Sequence, residues 1–248
     1  MNSLLWFAGC HQRKIHFQLQ QFLILVVAGL LIRFLKLMIK IFNYILLFFI
    51  LFLNTTLAEI VNVFEFTEKE LSELKVRKVR GADEKTLYSL GENENGKFLR
   101  AEANNSASGL GKQIEINLNK TPFLNITWKI EKDLKGILEN SKKGHDYAAR
   151  VFVVKKTGAT PLSNRAMNYV FSSNKDINTY HPSPFTKKSI DYALSTTKEN
   201  FNEWVTVKVN VKEHFKKFHD LDLDEINGVA IMSDTDNSKL SSVAYYQN

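Results

Sequence analysis

A chain of 248 residues holds one large domain or two small ones, and its 44% hydrophobic content fits an ordinary globular protein and excludes a disordered or fibrous one. A formal charge of +7 would point to nucleic acid or an anionic surface as partner. Its distribution removes nucleic acid: residues 1–58 hold no acid and five cations, Arg13, Lys14, Arg33, Lys36 and Lys40, and taking these from the 33 basic residues leaves 28 against 26 acids, a net of only +2 beyond residue 58.

The first elements are two apolar runs, FLILVVAGLLI (22–32) and IFNYILLFFILFL (41–53), separated by Arg33, Lys36 and Lys40. Each is shorter than the roughly 18 residues expected of a membrane-crossing helix. From Met38 the chain has a short basic region, a 13-residue apolar stretch and small residues before Glu59. That is the layout of a secretory signal peptide over 38–58 with cleavage after Ala58, which makes residues 1–37 an upstream extension. The alternative keeps Met1 and makes the hydrophobic helical leader, 1–58, a membrane anchor. Membrane contact is then expected only through an uncleaved leader. FAGC, ending at Cys10, resembles a lipoprotein box but lacks the basic region that would precede it. Either way the rest of the chain is expected outside the cytoplasm, most naturally in a bacterial periplasm, and it holds no cysteine. Disulfides, thiol catalysis and cysteine-bound zinc are therefore excluded there.

Residues 59–248 read as strands within a single domain. After a short helix near 67–75, strands are expected at 97–103, at QIEINL (113–118) and at FLNITWKIE (123–131). In the last, Leu124, Ile126, Trp128 and Ile130 alternate with Asn125, Thr127, Lys129 and Glu131, the period of a half-buried strand. AARVFVV (148–154) and GVAIM (228–232) are apolar on both faces, as central strands are. Further strands are expected at 166–171, 187–195, 204–211 and 242–246, with a second short helix at 212–219. Many strands, few helices and polar turns predict an all-β fold, one antiparallel β-sandwich of jelly-roll type.

Candidate site residues lie at strand ends and in loops. SDTDN, closing the strand at 228–233, puts Asp234, Asp236 and Asn237 within four residues. Such side chains favour turns by bonding the local backbone. They also offer calcium part of its shell of six to eight oxygens, or a sugar its hydroxyl partners, although the EF-hand pattern is absent. Arg150 stands in an otherwise apolar strand and needs a carboxylate to offset its desolvation, with Asp146, Asp234 or Asp236 in reach of the same sheet. Trp128 shares the apolar face of its strand, whereas Trp204 falls on the polar face of WVTVKVNV, where a flat ring can cover the apolar side of a pyranose. Tyr180 and His181 sit in the longest irregular stretch, 172–186, and loops on a rigid sandwich often carry binding. No GxSxG, HExxH, phosphate-cradling glycine loop or dinucleotide fingerprint is present, so no cofactor is indicated; a glycosidase would need only two carboxyls at a set separation.

SASGLGKQIEINLNKTPFLNITWKI (106–130), GHDYAARVFVV (144–154), NYVFS (168–172), EWVTVKVNV (203–211) and INGVAIMSDTDNSKLSSVAYYQN (226–248) together resemble the domain-of-unknown-function 3047 family of exported bacterial proteins. The resemblance implies a β-sandwich similar in layout to carbohydrate-binding jelly rolls, with no established activity. It has two departures: the family's pair of acids before AARV is here His145 and Asp146, and the family tends to run past the final tyrosines into a further short strand, so an unpaired edge is expected near residue 248. Three readings follow: a non-catalytic module binding a glycan or cell-envelope polymer through Asp146, Arg150, Tyr180, Trp204, Asp234, Asp236 and Asn237; an envelope interaction protein; or a carbohydrate-active hydrolase or lyase.

Overall fold

The computed structural model describes residues 3–52, 59–74, 76–79, 81–160 and 163–248, with the side chains of residues 3–22, 24 and 49–52 left aside. The chain divides into two compact units, residues 1–57 and 58–248. In the first, α1 (Ser3–Phe52) is one continuous helix running through both apolar runs and the cations between them. Leu25, Leu31, Phe42 and Phe48 are among its exposed large apolar side chains. Among the described residues no helix is long and apolar enough to cross a membrane. The expected cleavage site at Ala58 and the side chain of Cys10 lie outside the described residues.

The second unit is a β-sandwich. Its helices are α2 (Glu68–Glu73) and α3 (Val211–His219). Thr67 caps α2 by accepting a bond from the Glu70 N–H, while Glu70 Oε2 reaches back to the N–H groups of Glu65 and Phe66. Asn210 caps α3, which ends at Asp220 in the left-handed conformation.

The strands are β1 (Val76–Lys78), β2 (Leu87–Asn93), β3 (Gly96–Asn104), β4 (Ala107–Asn117), β5 (Phe123–Lys132) and β6 (Ala149–Lys155). They continue with β7 (Arg165–Ser172), β8 (Tyr180–Ser183), β9 (Thr186–Thr196), β10 (Val205–Asn210), β11 (Glu225–Asp234) and β12 (Ser241–Gln247). One sheet has the order β1-β4-β11-β6-β7-β9-β8, the other β10-β5-β12-β3-β2. From β3 to β6 and again from β10 to β12 the chain switches sheet at every step, and β11 and β12 insert between earlier strands, which is the jelly-roll path.

Period-2 alternation explains the core. Trp128 and Ile130 of β5, Leu99 of β3 and Tyr246 of β12 face Val151, Val153, Tyr169, Phe171, Val229 and Ile231 of the other sheet. Trp128 is fully buried and its indole N–H donates to Ser195 Oγ at 3.0 Å.

The structure departs from the sequence reading in two places. β1, β2 and β8 were not expected; they are short or carry Gly, Asn and Pro, which blunt the alternation signal. All neighbouring strands are antiparallel except β7 and β9, which run parallel because β8 turns the chain back before it enters β9. Near residue 248, β12 is flanked by β3 and β5, and among the described strands β5 pairs with β10 alone at residues 123–126.

Candidate functional site

β11 carries its apolar run to Asp234, where the chain leaves the seven-stranded sheet and turns back towards β12. This turn is fastened to the loop before β6. Asp146, fully buried, accepts hydrogen bonds from Asn237 N at 3.2 Å, Asn237 Nδ2 at 2.9 Å and Ser238 N at 2.5 Å. Asp234 Oδ1 accepts from Tyr147 N at 3.1 Å, and the Asp234 N–H donates to Tyr147 O. Arg150, the buried cation of β6, pairs with Asp234 Oδ2 and lies 5.3 Å from the ring centroids of Tyr147 and Phe152.

One ligand oxygen from each of Asp146, Asp234 and Asp236 falls within 4.8 Å of the others. Burial, with Asp146 and Asp236 nearby, pushes the Asp234 carboxyl up to about 8 against the pull of Arg150 and the Tyr147 N–H. Burial also raises Asp236. Most oxygens of Asp146 and Asp234 are already aimed at N–H donors. As it stands, this arrangement fastens a turn and offers a cation little beyond Asp236.

A second polar group lies under the same loop. Asp191 of β9, buried, is held by Asn168 Nδ2 at 2.5 Å and lies 2.7 Å from His145 Nε2, with His181 Nδ1 at 3.6 Å. The Tyr147 hydroxyl is 3.4 Å from His181 Nε2. His181 therefore has Asp191 and Tyr147 as partners, and neither was evident from spacing along the chain. Tyr180, 53% exposed, is the neighbouring β8 residue; its ring stacks on Tyr192 at 6.3 Å and meets Phe218 at 4.7 Å.

Trp204 lies on the other sheet, just before β10, so the expected site residues do not form one patch. Its ring centroid is 6.1 Å from that of Phe98 and 6.0 Å from that of Tyr245, and those two are 5.5 Å apart. The three rings form a half-exposed aromatic triangle on the solvent side of β3, β12 and β10. Phe98 can lie across β2 because the residue paired with it is Gly91: a Cβ there would come within 2.4 Å of the ring. Lys129 Nζ stands 4.4 Å from the Tyr245 centroid and 5.7 Å from that of Trp204. The Tyr245 hydroxyl donates to Glu131 at 2.5 Å and accepts from Arg100 Nε at 3.4 Å. Charged and hydroxyl groups thus rim an apolar surface. Phe98 and Tyr245 escaped the sequence reading because their strands show only ordinary alternation; the one local signal for Phe98 is a strand glycine paired with an aromatic.

Asp146, Arg150, Asp234, Asp236 and Asn237 do come together, in a cluster whose first three members are buried and whose last two are partly exposed. Tyr180 stands at the β8 edge of the same sheet and Trp204 on the opposite sheet.

No curated protein matches the chain. Among the solved structures that match is the family 30 carbohydrate-binding module of the cellulosomal cellulase CEL9D-CEL44B of Clostridium thermocellum, 6% identical, with a TM-score of 0.41, covering 71% of this chain and 89% of that one. Likeness at that level says nothing about a ligand. The family model for "Protein of unknown function (DUF3047)" matches residues 72–248, nearly all of the sandwich, and the chain belongs to that family.

Proposed function

We propose that the β-sandwich is a non-catalytic module that binds a glycan or cell-envelope polymer, with Phe98, Trp204 and Tyr245 as its contact surface. The observation that carries this reading is the aromatic triangle itself. Three rings within 6.1 Å of one another are held half-exposed where neighbouring side chains are charged or hydroxylic. Flat rings cover the apolar face of a pyranose, while Arg100, Glu131 and Lys129 bond its hydroxyls. Asp146 and Asp234 are buried and cannot reach a saccharide, so the acids that come together do not supply the two facing carboxyls of a glycosidase.

The test is a glycan-array and polysaccharide pull-down screen on the wild-type chain beside Trp204→Ala and Phe98→Ala. Saturable binding, lost in both variants, supports the module. No binding by folded wild-type protein, or binding indifferent to both substitutions, overturns it. Export is part of the same proposal, supported by the layout of residues 38–58. N-terminal sequencing of protein recovered from cells tests it: a mature chain starting at Glu59 supports export by a cleaved signal peptide, and retention of residue 1 supports the anchor.

A further inference from the structure

Strand register sets rings and cations in one row across the five-stranded sheet. Tyr245 of β12 pairs with Arg100 of β3 on one side and with Lys129 of β5 on the other. Trp204 directly precedes Val205, which is paired with Trp128, and so stands beside Lys129. Neighbouring strands lie about 4.8 Å apart, so Arg100, Tyr245, Lys129 and Trp204 follow one another over about 14 Å, cation and ring in alternation. Their side chains share the solvent face, because alternation sends Trp128 and Tyr246 to the core.

The charges of that face do not cancel. Alternation along β3, β5 and β10 places Arg100, Glu102, Lys129, Glu131 and Lys208 there. Arg100 Nη1 is 2.5 Å from Glu102 Oε2, which neutralises that pair. Among the described residues, the ion pairs include neither Lys129 nor Lys208. Their ammonium groups rest on rings instead, Lys129 on Tyr245 and Trp204, and Lys208 with its Nζ 4.4 Å from the Phe123 centroid. Two ammonium groups therefore stand against one carboxylate, Glu131, which is turned onto the Tyr245 hydroxyl. A ring attracts an ammonium without neutralising it. An anion brought to Lys129 gains a charge-assisted bond that a hydroxyl does not match.

We infer that the glycan held by the aromatic triangle is an anionic one, with carboxylate or phosphate groups along its chain, and that Lys129 pairs with one of them. This rests on the module proposed for the same rings and adds the charge of its ligand. The polymer crosses the strands with sugar rings on Tyr245 and Trp204, and its anion falls between them. Lys208, four positions beyond Trp204 on the same face, adds to the positive field, whereas Arg100 is already engaged by Glu102.

The probes are two matched pairs, polygalacturonate with its fully methyl-esterified form and a phosphomannan with unphosphorylated mannan, titrated against the full chain by calorimetry. Binding of the charged member at least about tenfold tighter, in either pair, supports the inference, and the pair that responds tells carboxylate from phosphate. Lys129→Gln should remove that preference. Lys142→Gln, which takes the same charge from the exposed loop before β6, should keep it. Equal binding within each pair overturns the inference yet leaves the module standing if Trp204→Ala abolishes that binding. A preference weakened equally by both lysine substitutions assigns it to overall charge, the cations of α1 included, and overturns it as well. No binding of any of the four polymers also overturns it, and the module falls with it only if the glycan array is empty too. The comparison within pairs uses wild-type protein alone and does not depend on how any variant folds.

Discussion

Replacing Asp146 by alanine removes the acceptor for three donors at once: Asn237 N, Asn237 Nδ2 and Ser238 N. Hydrogen bonds to a charged group contribute about 1.5–3 kcal/mol each, and an orphaned buried donor carries its full desolvation penalty. The sum is an upper bound, because water enters the space vacated by the carboxylate, so a loss of about 4–6 kcal/mol is expected. A domain of this size is stable by about 10 kcal/mol. With a urea slope of about 2.5 kcal/mol per molar, the midpoint falls by about 2 M. Asp146→Asn should cost about half as much: its Oδ1 still accepts from Asn237, but its Nδ2 faces the Ser238 N–H, donor against donor. Urea unfolding followed by the fluorescence of buried Trp128 measures both. A loss below about 1 kcal/mol for Asp146→Ala, or an Asn variant weaker than the Ala variant, would refute the idea that this carboxylate fastens the turn.

The Asp234 carboxyl, raised to about 8 by burial, contributes stability that is fully present below its unfolded value of 3.8 and is lost as pH rises through 8. Asp234→Asn should flatten that decline between pH 4 and 8, and an unchanged slope in unfolding titrations counts against it. His214 is lowered to about 4, by burial first and then by Lys217, so its contribution is present above 6.5 and lost as pH falls through 4. After allowance for solvent screening the contribution is about 1–2 kcal/mol, and His214→Phe should abolish that acid-side loss. Gly91→Ala drives Phe98 off β2, since the new Cβ would sit 2.4 Å from its ring; glycan binding should fall while the melting temperature moves by only a few degrees, about what 1 kcal/mol produces. Added calcium should shift the melting temperature by less than about 1 °C, because Asp146 and Asp234 spend their oxygens on N–H donors; a rise of several degrees would make the cluster a metal site.

Much of the sandwich was legible in the sequence because alternation reports directly on a sheet with one buried face. β5 and β10 show it most clearly, and the two-sided apolar runs of β6 and β11 identified the central strands. β8 was not legible: Tyr180–Ser183 contains a proline and reads as loop, and only tertiary pairing with β9 makes it a strand. The Arg150 ion pair followed from the cost of burying a lone cation, but the choice of Asp234 over Asp146 depends on which strand end lies beside β6. The meetings of His145 with Asp191, 46 positions apart, and of Phe98 with Trp204, on strands far apart in the chain, lie beyond the reach of any local pattern.

The position of β12 has a consequence for how the sandwich is made. Strand β12 is the last of the sequence, yet it sits in the middle of its sheet, and without it the β10-β5 pair and the β3-β2 hairpin have no common neighbour. Synthesis from the N-terminus therefore delivers a chain whose five-stranded sheet cannot close until Ser241–Gln247 has emerged. Pairing over such sequence distances is slow. Until then the facing edges of β3 and β5 stay unpaired, and the sandwich core between the sheets stays open.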